Sequence, residues 1–221
     1  GQFAYAASSD MSISSIQQAV DRAIIIADSS SKNPLYNFSE NVRPNNQGSY
    51  KSDRNKTHLP LKEINDILFK SYESLKVSDK IVSAVASARI TETNYQFLSS
   101  SGADIQQDFL IIGSSFDAVS QDKGITQRRT DNGRGRMFQA GYEVFDEVEL
   151  TNMCKNIGEQ AVELLYADEC PTETTNLVLA PDQMLLQIHE SIGHPLEVDR
   201  ILGDERNYAG WSFVREDDFG T

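Results

Sequence analysis

The chain has 221 residues, of which 39% are hydrophobic, enough for one large domain or two small ones with a hydrophobic core. Lys and Arg number 20 against 33 Asp and Glu, so the formal net charge is -13. A field of this sign repels phosphate backbones and anionic membrane surfaces, so we expect no nucleic-acid partner and no membrane partner. No apolar run approaches the roughly 18 residues that a membrane span requires, so we expect a soluble protein.

Cysteine usage indicates a reducing compartment. The chain has two cysteines, Cys154 and Cys170, and they form no CxxC pair. Such a pair of residues builds neither a disulfide scaffold nor a zinc knuckle. We therefore interpret both as ordinary thiols and predict a cytoplasmic protein.

The first 60 residues predict a strand, a helix and a long excursion. Residues 2–7 alternate enough for a strand, and the apolar residues that follow Ile13 fall on one helical face. Residues 29–60 are rich in Ser, Asn, Pro and charge with little periodicity, which is typical of a linker or a long surface loop. A helical pattern returns over residues 61–76, where we expect a second domain to begin.

The middle of the chain predicts an antiparallel meander. Residues 81–98 alternate between apolar and polar side chains, as in a long half-buried strand. A turn-forming stretch follows at 99–104, and residues 105–116 predict a second strand. Residues 126–144 continue in extended character around three glycines.

The remaining residues predict two helices and a short strand. Asn152 is the expected N-cap of a helix with one apolar stripe, and residues 176–179 predict the strand. Pro181 and Asp182 then open a helix, because proline is tolerated in a first helical turn and aspartate is favoured there by the helix dipole. We predict an α+β fold, multi-domain, with an antiparallel sheet meander, flanking helices and a metal-motif helix near the C-terminus.

That last helix carries the stretch QIHESIGHPLEV, residues 187–198, with two of the three histidines of the chain. His189 and His194 are five residues apart, which in a regular helix is about 140° around the axis, too far for one metal ion. A single π-type turn with an i to i+5 hydrogen bond would bring them together. Pro195 has no N–H and disfavours helical geometry at the residue before it, so we expect a loosened turn over residues 190–195, with Gly193 inside it.

Two histidines and an adjacent glutamate suit metal-assisted amide hydrolysis. Zinc held by imidazoles with one open position makes water acidic enough to attack at neutral pH. In that reaction His189 and His194 would bind zinc, and Glu190 would be the general base that carries a proton to the leaving amine. Spacing leaves the third protein ligand open among five candidates: Glu197, Asp199, Asp204, Glu205 and Cys170. The competing interpretation is a helix that ends at Pro195 with one capping and one surface histidine.

The continuation HESIGHPLEVDRILGDERNYAGWSFV, residues 189–214, resembles the signature of the TldD/PmbA metalloproteases, a family also linked by name to the modulation of DNA gyrase. Its hallmark is HExxxH followed shortly by Leu-Glu-x-Asp. Residues 1–28 resemble the end of the family's first domain. Residues 81–116, the stretch QAGYEVFDE and the helix after Asn152 resemble its middle domain.

The resemblance implies four segments: 1–28 as the end of an N-terminal domain, 29–60 as a linker or long loop, 61–168 as a middle α+β domain and 169–221 as the start of the metal-binding catalytic domain. It also implies that the chain lacks the start of the first domain and most of the C-terminal domain. The family's third zinc ligand is a cysteine in that C-terminal part, which neither Cys154 nor Cys170 matches, so the resemblance leaves open whether this stretch alone is active.

The resemblance further implies a zinc-dependent peptidase in which His189 and His194 bind the metal and Glu190 is the base. Its substrates would be unfolded or flexible peptides admitted to an enclosed chamber. The protein would form a homodimer or a heterodimer with a related subunit that lacks the histidine motif. A different class of function also fits the sequence, namely a noncatalytic peptide-binding or regulatory subunit with the same fold.

Three further groups of residues are weaker candidates. A basic cluster on the glycine-rich hairpin could hold a substrate carboxylate, although a solvated hairpin tip is the simpler interpretation; it comprises Arg128, Arg129, Arg134 and Arg136. His58 is expected at the surface. Tyr208 and Trp211 follow the motif closely enough to line a substrate cleft, but aromatic residues near a site more often serve packing.

Overall fold

The computed structural model describes residues 2–34, 45–133, 135–203 and 210–220. The helices are α1 (Ile13–Ser30), α2 (Leu61–Leu75), α3 (Glu147–Glu163), α4 (Pro181–Ile188) and α5 (Val198–Leu202). The strands are β1 (Gln47–Lys51), β2 (Ile81–Leu98), β3 (Asp104–Asp122), β4 (Ile125–Thr130) and β5 (Arg136–Phe138). The fold is therefore α+β, as the sequence predicts.

The chain divides into two compact units. The first comprises Gly1–Ser49 and Tyr95–Gln107, and α1 is its helix. Ser12 caps α1 by accepting a hydrogen bond from the backbone N–H of Ser15, and no residue of this helix is buried. The second unit comprises Tyr50–Asn94 and Asp108–Thr221, and it contains α2, α3 and the histidine stretch.

The long strand β3 organises the sheet. Strands β1, β3 and β2 are neighbours in that order, and β4 and β5 each pair with β3. β4 is antiparallel to β3 from the pair Asp117 and Thr130 to the pair Asp122 and Ile125. β5 is also antiparallel to β3, with Met137 opposite Gly113. β4 pairs with residues 117–122 of β3, and β5 pairs with residues 112–114 of the same strand. The turn between β4 and β5 therefore lies beside β3.

The core of the second unit forms where α2 and α3 pack on the sheet. Apolar side chains from both helices meet the buried residues of β3, and alternate residues of β2 pack against them. Gly158 of α3 is required at the helix crossing, because a Cβ there would lie 2.3 Å from the carbonyl oxygen of Leu75. The fully buried side chains at this interface include Leu75, Leu110, Ile112, Phe116 and Cys154.

Several predicted elements agree closely with the structure. The helix predicted over 61–76 is α2, the strand predicted over 81–98 is β2, and a helix begins at Ile13. The strand predicted over 105–116 extends further, to Asp122, because its buried side chains continue to Ser120. The linker predicted over 29–60 contains the short strand β1, and residues 35–44 of it lie outside the described part of the chain.

Three local predictions were wrong. Residues 2–7 and 176–179 form no strand, because an alternating pattern supplies no partner strand with which to hydrogen-bond. The N-cap of α3 is Asp146, whose carboxylate accepts from the backbone N–H of Glu149 at 2.8 Å, instead of Asn152. The first turn of α3 is acidic, which suits the positive end of the helix dipole.

None of the helices within the described residues is both long and apolar enough to cross a membrane.

Candidate metal centre

The histidine stretch begins as a regular helix and then widens. Pro181 lies at the start of α4 and Asp182 in its first turn, as the sequence predicts. α4 ends at Ile188, and one π-helical turn follows over His189–Gly193. The backbone N–H of His194 donates to the carbonyl oxygen of His189, which is the predicted i to i+5 hydrogen bond. The expected deviation from regular helix is therefore confirmed.

Proline and glycine contribute unequally to this turn. Pro195 is buried, lies in the 3-10 turn that begins at His194, and has no N–H to continue an α-helical hydrogen-bond ladder. Gly193 has φ -59 and ψ -62, a conformation open to any residue. A Cβ at Gly193 would lie 3.8 Å from Cδ2 of His189, an ordinary van der Waals contact. The widened turn thus follows from Pro195 and not from glycine's conformational freedom.

The π-helical turn brings the two imidazoles together. The ring centroids of His189 and His194 are 4.4 Å apart, with an angle of 45° between the planes. One carboxylate oxygen of Glu190 lies 3.9 Å from Nε2 of His194. A ligand atom from each of these three residues lies within 4.8 Å of the other two. Within the described residues, this is the group of histidine, cysteine and acidic side chains close enough to hold a metal ion.

The three side chains differ in their exposure to solvent. His189 and Glu190 are exposed, whereas His194 is half-buried. Exposed side chains can change rotamer and approach an ion, while His194 is held by its surroundings. The interpretation of the two histidines as a capping and a surface residue does not account for the contact between their rings, although His189 directly follows the last residue of α4.

Glu197 contacts His194 from the side opposite Glu190. Its Oε1 is 2.7 Å from Nδ1 of His194, and its Oε2 accepts a hydrogen bond from Nε of Arg200. The hydrogen bond from Arg200, followed by that with His194, holds the pKa of the Glu197 carboxyl below its ordinary value. Both oxygens of this candidate third ligand are therefore engaged in contacts with neighbouring side chains.

Two of the other candidate third ligands, Asp199 and Cys170, are not part of the group formed by the histidines and Glu190. The carboxylate of Asp199 accepts from the backbone N–H of Arg200 at 2.9 Å. Cys170 is an exposed free cysteine outside the three-residue group. Asp204 and Glu205 lie outside the described residues.

An open cleft of about 760 Å³ borders the site. One wall is α4 with His189 at its end, and the other is the turn between β4 and β5. Gly135 of that turn has φ +86, and a Cβ there would lie 2.4 Å from the carbonyl oxygen of Ser114, so glycine is required. The lining residues are Asn132, Gly133 and Gly135 on the turn, and Pro181, Asp182, Gln183, Leu185, Leu186 and His189 on α4.

The sequence gives only a weak signal for this second wall. Asp131, Asn132 and Gly133 are typical turn formers, so a turn there is predictable. Its approach to α4, however, depends on contacts between residues about 50 positions apart in the sequence. The contact of Glu197 with Arg200 has a local signal that was missed, because residues three apart are neighbours on a helical turn.

The basic cluster is already paired within the protein. Arg128 donates to Asp117, Arg129 donates to the side-chain oxygen of Gln160 at 2.8 Å, and Arg136 donates to Asp131 at 2.9 Å. These contacts favour a structural hairpin over a site for a substrate carboxylate. Arg134 lies outside the described residues.

The remaining candidates are peripheral to the cleft. His58 is exposed, as predicted. Its ring and that of Tyr142 are in an edge-on arrangement, with centroids 6.5 Å apart. Trp211 is 69% exposed, and the described residues that line the cleft do not include it. Tyr208 lies outside the described residues.

Comparison with known proteins yields distant relatives. No protein-family profile matches the chain. It is similar to a protein of Methanothermobacter thermautotrophicus named metalloprotease, with 27% identity over 154 residues. It is also similar to a metalloprotease of Methanocaldococcus jannaschii, with 25% identity over 151 residues. These alignments cover 69% and 68% of this chain but 33% and 32% of the relatives, so the chain spans about a third of the length of the curated relatives it matches.

Proposed function

We propose that the protein is a zinc-dependent peptidase of the TldD/PmbA type that hydrolyses peptide bonds in unfolded or flexible peptides. The observation that carries the proposal is the π-helical turn, which brings His189, Glu190 and His194 within ligand distance of one another. The names of the two relatives support metalloprotease activity. The sequence HESIGHPLEVD supports the narrower assignment to the TldD/PmbA type.

The donor set fits zinc. Neutral imidazole nitrogens are among the ligands that Zn²⁺ prefers, and catalytic zinc sites use three protein ligands and keep one position open. His189 and His194 supply two of them, and the resemblance assigns the third to a cysteine outside this chain. When bound, zinc would supply a Lewis acid that allows water to attack an amide at neutral pH.

Glu190 is the proposed general base. A carboxylate next to the two imidazoles can take a proton from the attacking water and deliver it to the nitrogen of the leaving amine. One of its oxygens lies 3.9 Å from Nε2 of His194. The carboxylate is therefore adjacent to a nitrogen that would hold the metal, and one water molecule can bridge a gap of this size. The carboxylate is 60% exposed, so its side chain is free to approach a substrate without a change in backbone.

The cleft supports a peptide substrate. Its volume of about 760 Å³ lies within the roughly 300–1,000 Å³ that is typical of ligand-binding clefts. Leu185 and Leu186 give it an apolar wall, while Asp182, Gln183 and Asn132 supply polar groups. An open cleft with mixed walls suits an extended chain more than a compact folded domain. We further propose a cytoplasmic protein that works as a homodimer or as a heterodimer with a related subunit.

The test is peptidase activity of a zinc-loaded form of the protein that includes the cysteine ligand implied by the resemblance, and of its Glu190→Gln variant, measured on a quenched fluorescent peptide and on unfolded casein. Removing a general base lowers the rate by about 10²–10⁴-fold, whereas zinc content should stay at the wild-type value because Glu190 is not a ligand. The matched control is Glu159→Gln, a surface glutamate on α3 that pairs with Lys155. Equal cleavage by wild type and Glu190→Gln would contradict the proposal and favour the noncatalytic peptide-binding subunit.

A further inference from the structure

The ring of His194 is held by one carboxylate. Oε1 of Glu197 lies 2.7 Å from Nδ1 of His194, and the other ring nitrogen, Nε2, faces Glu190 at 3.9 Å. A neutral imidazole carries its proton on one nitrogen, and a carboxylate acceptor at Nδ1 selects the form protonated there. That form leaves the lone pair of Nε2 on the side of His189 and Glu190.

Glu197 is held in turn by Arg200. The side chain of Arg200 is 6% exposed, and its Nε donates to Oε2 of Glu197. Its Nη1 donates to the carbonyl oxygen of Gly210 at 3.4 Å. A guanidinium presents its donors in a rigid plane, so a buried one bound at two points has little freedom to turn.

Backbone contacts tie the same segment to Pro195. The backbone N–H of Ser212 donates to the carbonyl oxygen of Arg200 at 3.5 Å, and the Ser212 hydroxyl donates to the carbonyl oxygen of Pro195 at 2.6 Å. Residues 210–212 therefore bind both Pro195, in the histidine stretch, and Arg200, which holds Glu197.

We propose that Glu197, fixed by Arg200, is a positioning residue that orients His194 and selects the ring form whose Nε2 can bind the metal. This inference rests on the proposed function and deepens it, because it assigns a support for one of the two metal ligands. Carboxylates that accept from the distal nitrogen of a ligating histidine typically raise metal affinity by 10–100-fold. The contacts of both Glu197 oxygens within this segment suit a supporting role for its carboxylate.

The first measurement uses the metal-free protein. With three histidines in the chain, a two-bond ¹H–¹⁵N correlation spectrum at about pH 8 resolves three imidazoles. We expect His194 to be protonated at Nδ1 in the wild type and to become a mixture of the two ring forms in Glu197→Ala. His58 is an internal reference because it lies at the exposed surface against Tyr142. Its signals should be identical in both proteins.

The second measurement is affinity for Zn²⁺ alone, by competition with a chromophoric chelator, on a form of the protein that includes the cysteine ligand implied by the resemblance. Glu197→Ala should bind about 10–100-fold more weakly than wild type, and Glu197→Gln, which keeps an acceptor oxygen, should recover part of the loss. Asp199→Asn is the matched control, because it removes a neighbouring negative charge whose carboxylate bonds a backbone N–H instead of a histidine. Its affinity and the ring form of His194 should both equal those of wild type.

The outcomes separate this inference from the proposed function. Zinc binding by wild type with equal affinity in Glu197→Ala would overturn the positioning role alone. An equal loss in Asp199→Asn would also overturn it, because the effect would then come from charge and not from the contact. Absence of zinc binding in wild type would overturn the proposed function and the positioning role together. If circular dichroism shows that Glu197→Ala is unfolded, the positioning role is tested on Glu197→Gln instead, by its zinc affinity and by the ring form of its His194.

Discussion

The layer of α2 and α3 on β3 buries its apolar side chains almost completely, whereas the segment from Pro181 to Gly203, which contains the histidine stretch, leaves most of its own exposed. Leu75 and Phe116 are 0% exposed, but Leu185 is 68% and Ile192 is 53% exposed. In this segment, Pro195 and Arg200 are the buried residues among those described. Packing thus holds the first region, and hydrogen bonds hold the second.

This difference predicts separate consequences for mutations in the two regions. Apolar burial contributes roughly 25 cal/mol per Å², so changes at the α2 and α3 interface should alter the free energy of unfolding. Changes in the histidine stretch remove little buried apolar surface and should alter metal binding with little effect on stability.

The largest effect on stability is expected for Gly158→Ala. The added Cβ would lie 2.3 Å from the Leu75 carbonyl oxygen and 3.1 Å from Cγ1 of Val77, so α2 and α3 must separate. Overpacking of this kind lowers the free energy of unfolding by about 3 kcal/mol. Urea unfolding followed by circular dichroism measures it. A loss below about 1 kcal/mol would mean that the helices are not packed as closely as described.

A smaller effect is expected from the ionisation of a buried thiol. Burial raises the pKa of Cys154 from 9.0 to about 12, so the folded state keeps this thiol neutral where the unfolded chain loses its proton. Cys154 therefore leaves stability unchanged below pH 9 and lowers it above, as pH rises towards 12. The slope is at most about 1.4 kcal/mol per pH unit.

Unfolding free energies at about pH 8 and 10 test this ionisation. Cys154→Ala should remove its part of the pH dependence, and Cys170→Ser, at an exposed free cysteine, should leave it intact. An identical pH dependence in wild type and Cys154→Ala would show that the thiol is not protected by the core.

The smallest effect is expected for Gly193→Ala, in the centre of the histidine stretch. The backbone there is helical and the new Cβ would be 3.8 Å from the His189 ring, so nothing is strained. Replacing a helical glycine with alanine stabilises by about 0.5–1 kcal/mol. The same unfolding experiment measures it, with Gly158→Ala as the contrasting glycine. A clear loss of stability would show that the π-helical turn depends on glycine after all.

The two regions also differ in how far the sequence predicts them. The bounds of α2 and β2, and the i to i+5 turn between His189 and His194, follow from periodicity, spacing and the chemistry of Pro195. These are local properties of the chain, so local rules suffice. The position of His189, Glu190 and His194 on the helix that begins at Pro181 is also predicted from local sequence.

Features that depend on distant partners could not be predicted. Alternation at residues 2–7 satisfies the strand pattern, but no strand forms there. The cap of α3 is Asp146 and not Asn152, because the acidic residues that follow Asp146 form the first turn of the helix. These acidic residues add nothing to the apolar stripe, so the stripe alone does not reveal that the helix begins there. The approach of the turn at Asn132 to α4 arises from the three-dimensional fold.

The central claim is that His189 and His194 bind one zinc ion together. The most direct test is zinc content by elemental analysis of a form of the protein that includes the cysteine ligand implied by the resemblance, and of its His189→Ala, His194→Ala double variant, after loading and removal of excess metal. We expect about one zinc ion per chain in wild type, none in the double variant, and unchanged unfolding free energy of the two metal-free proteins. Equal zinc content in the two proteins, or no zinc in either, would contradict the account.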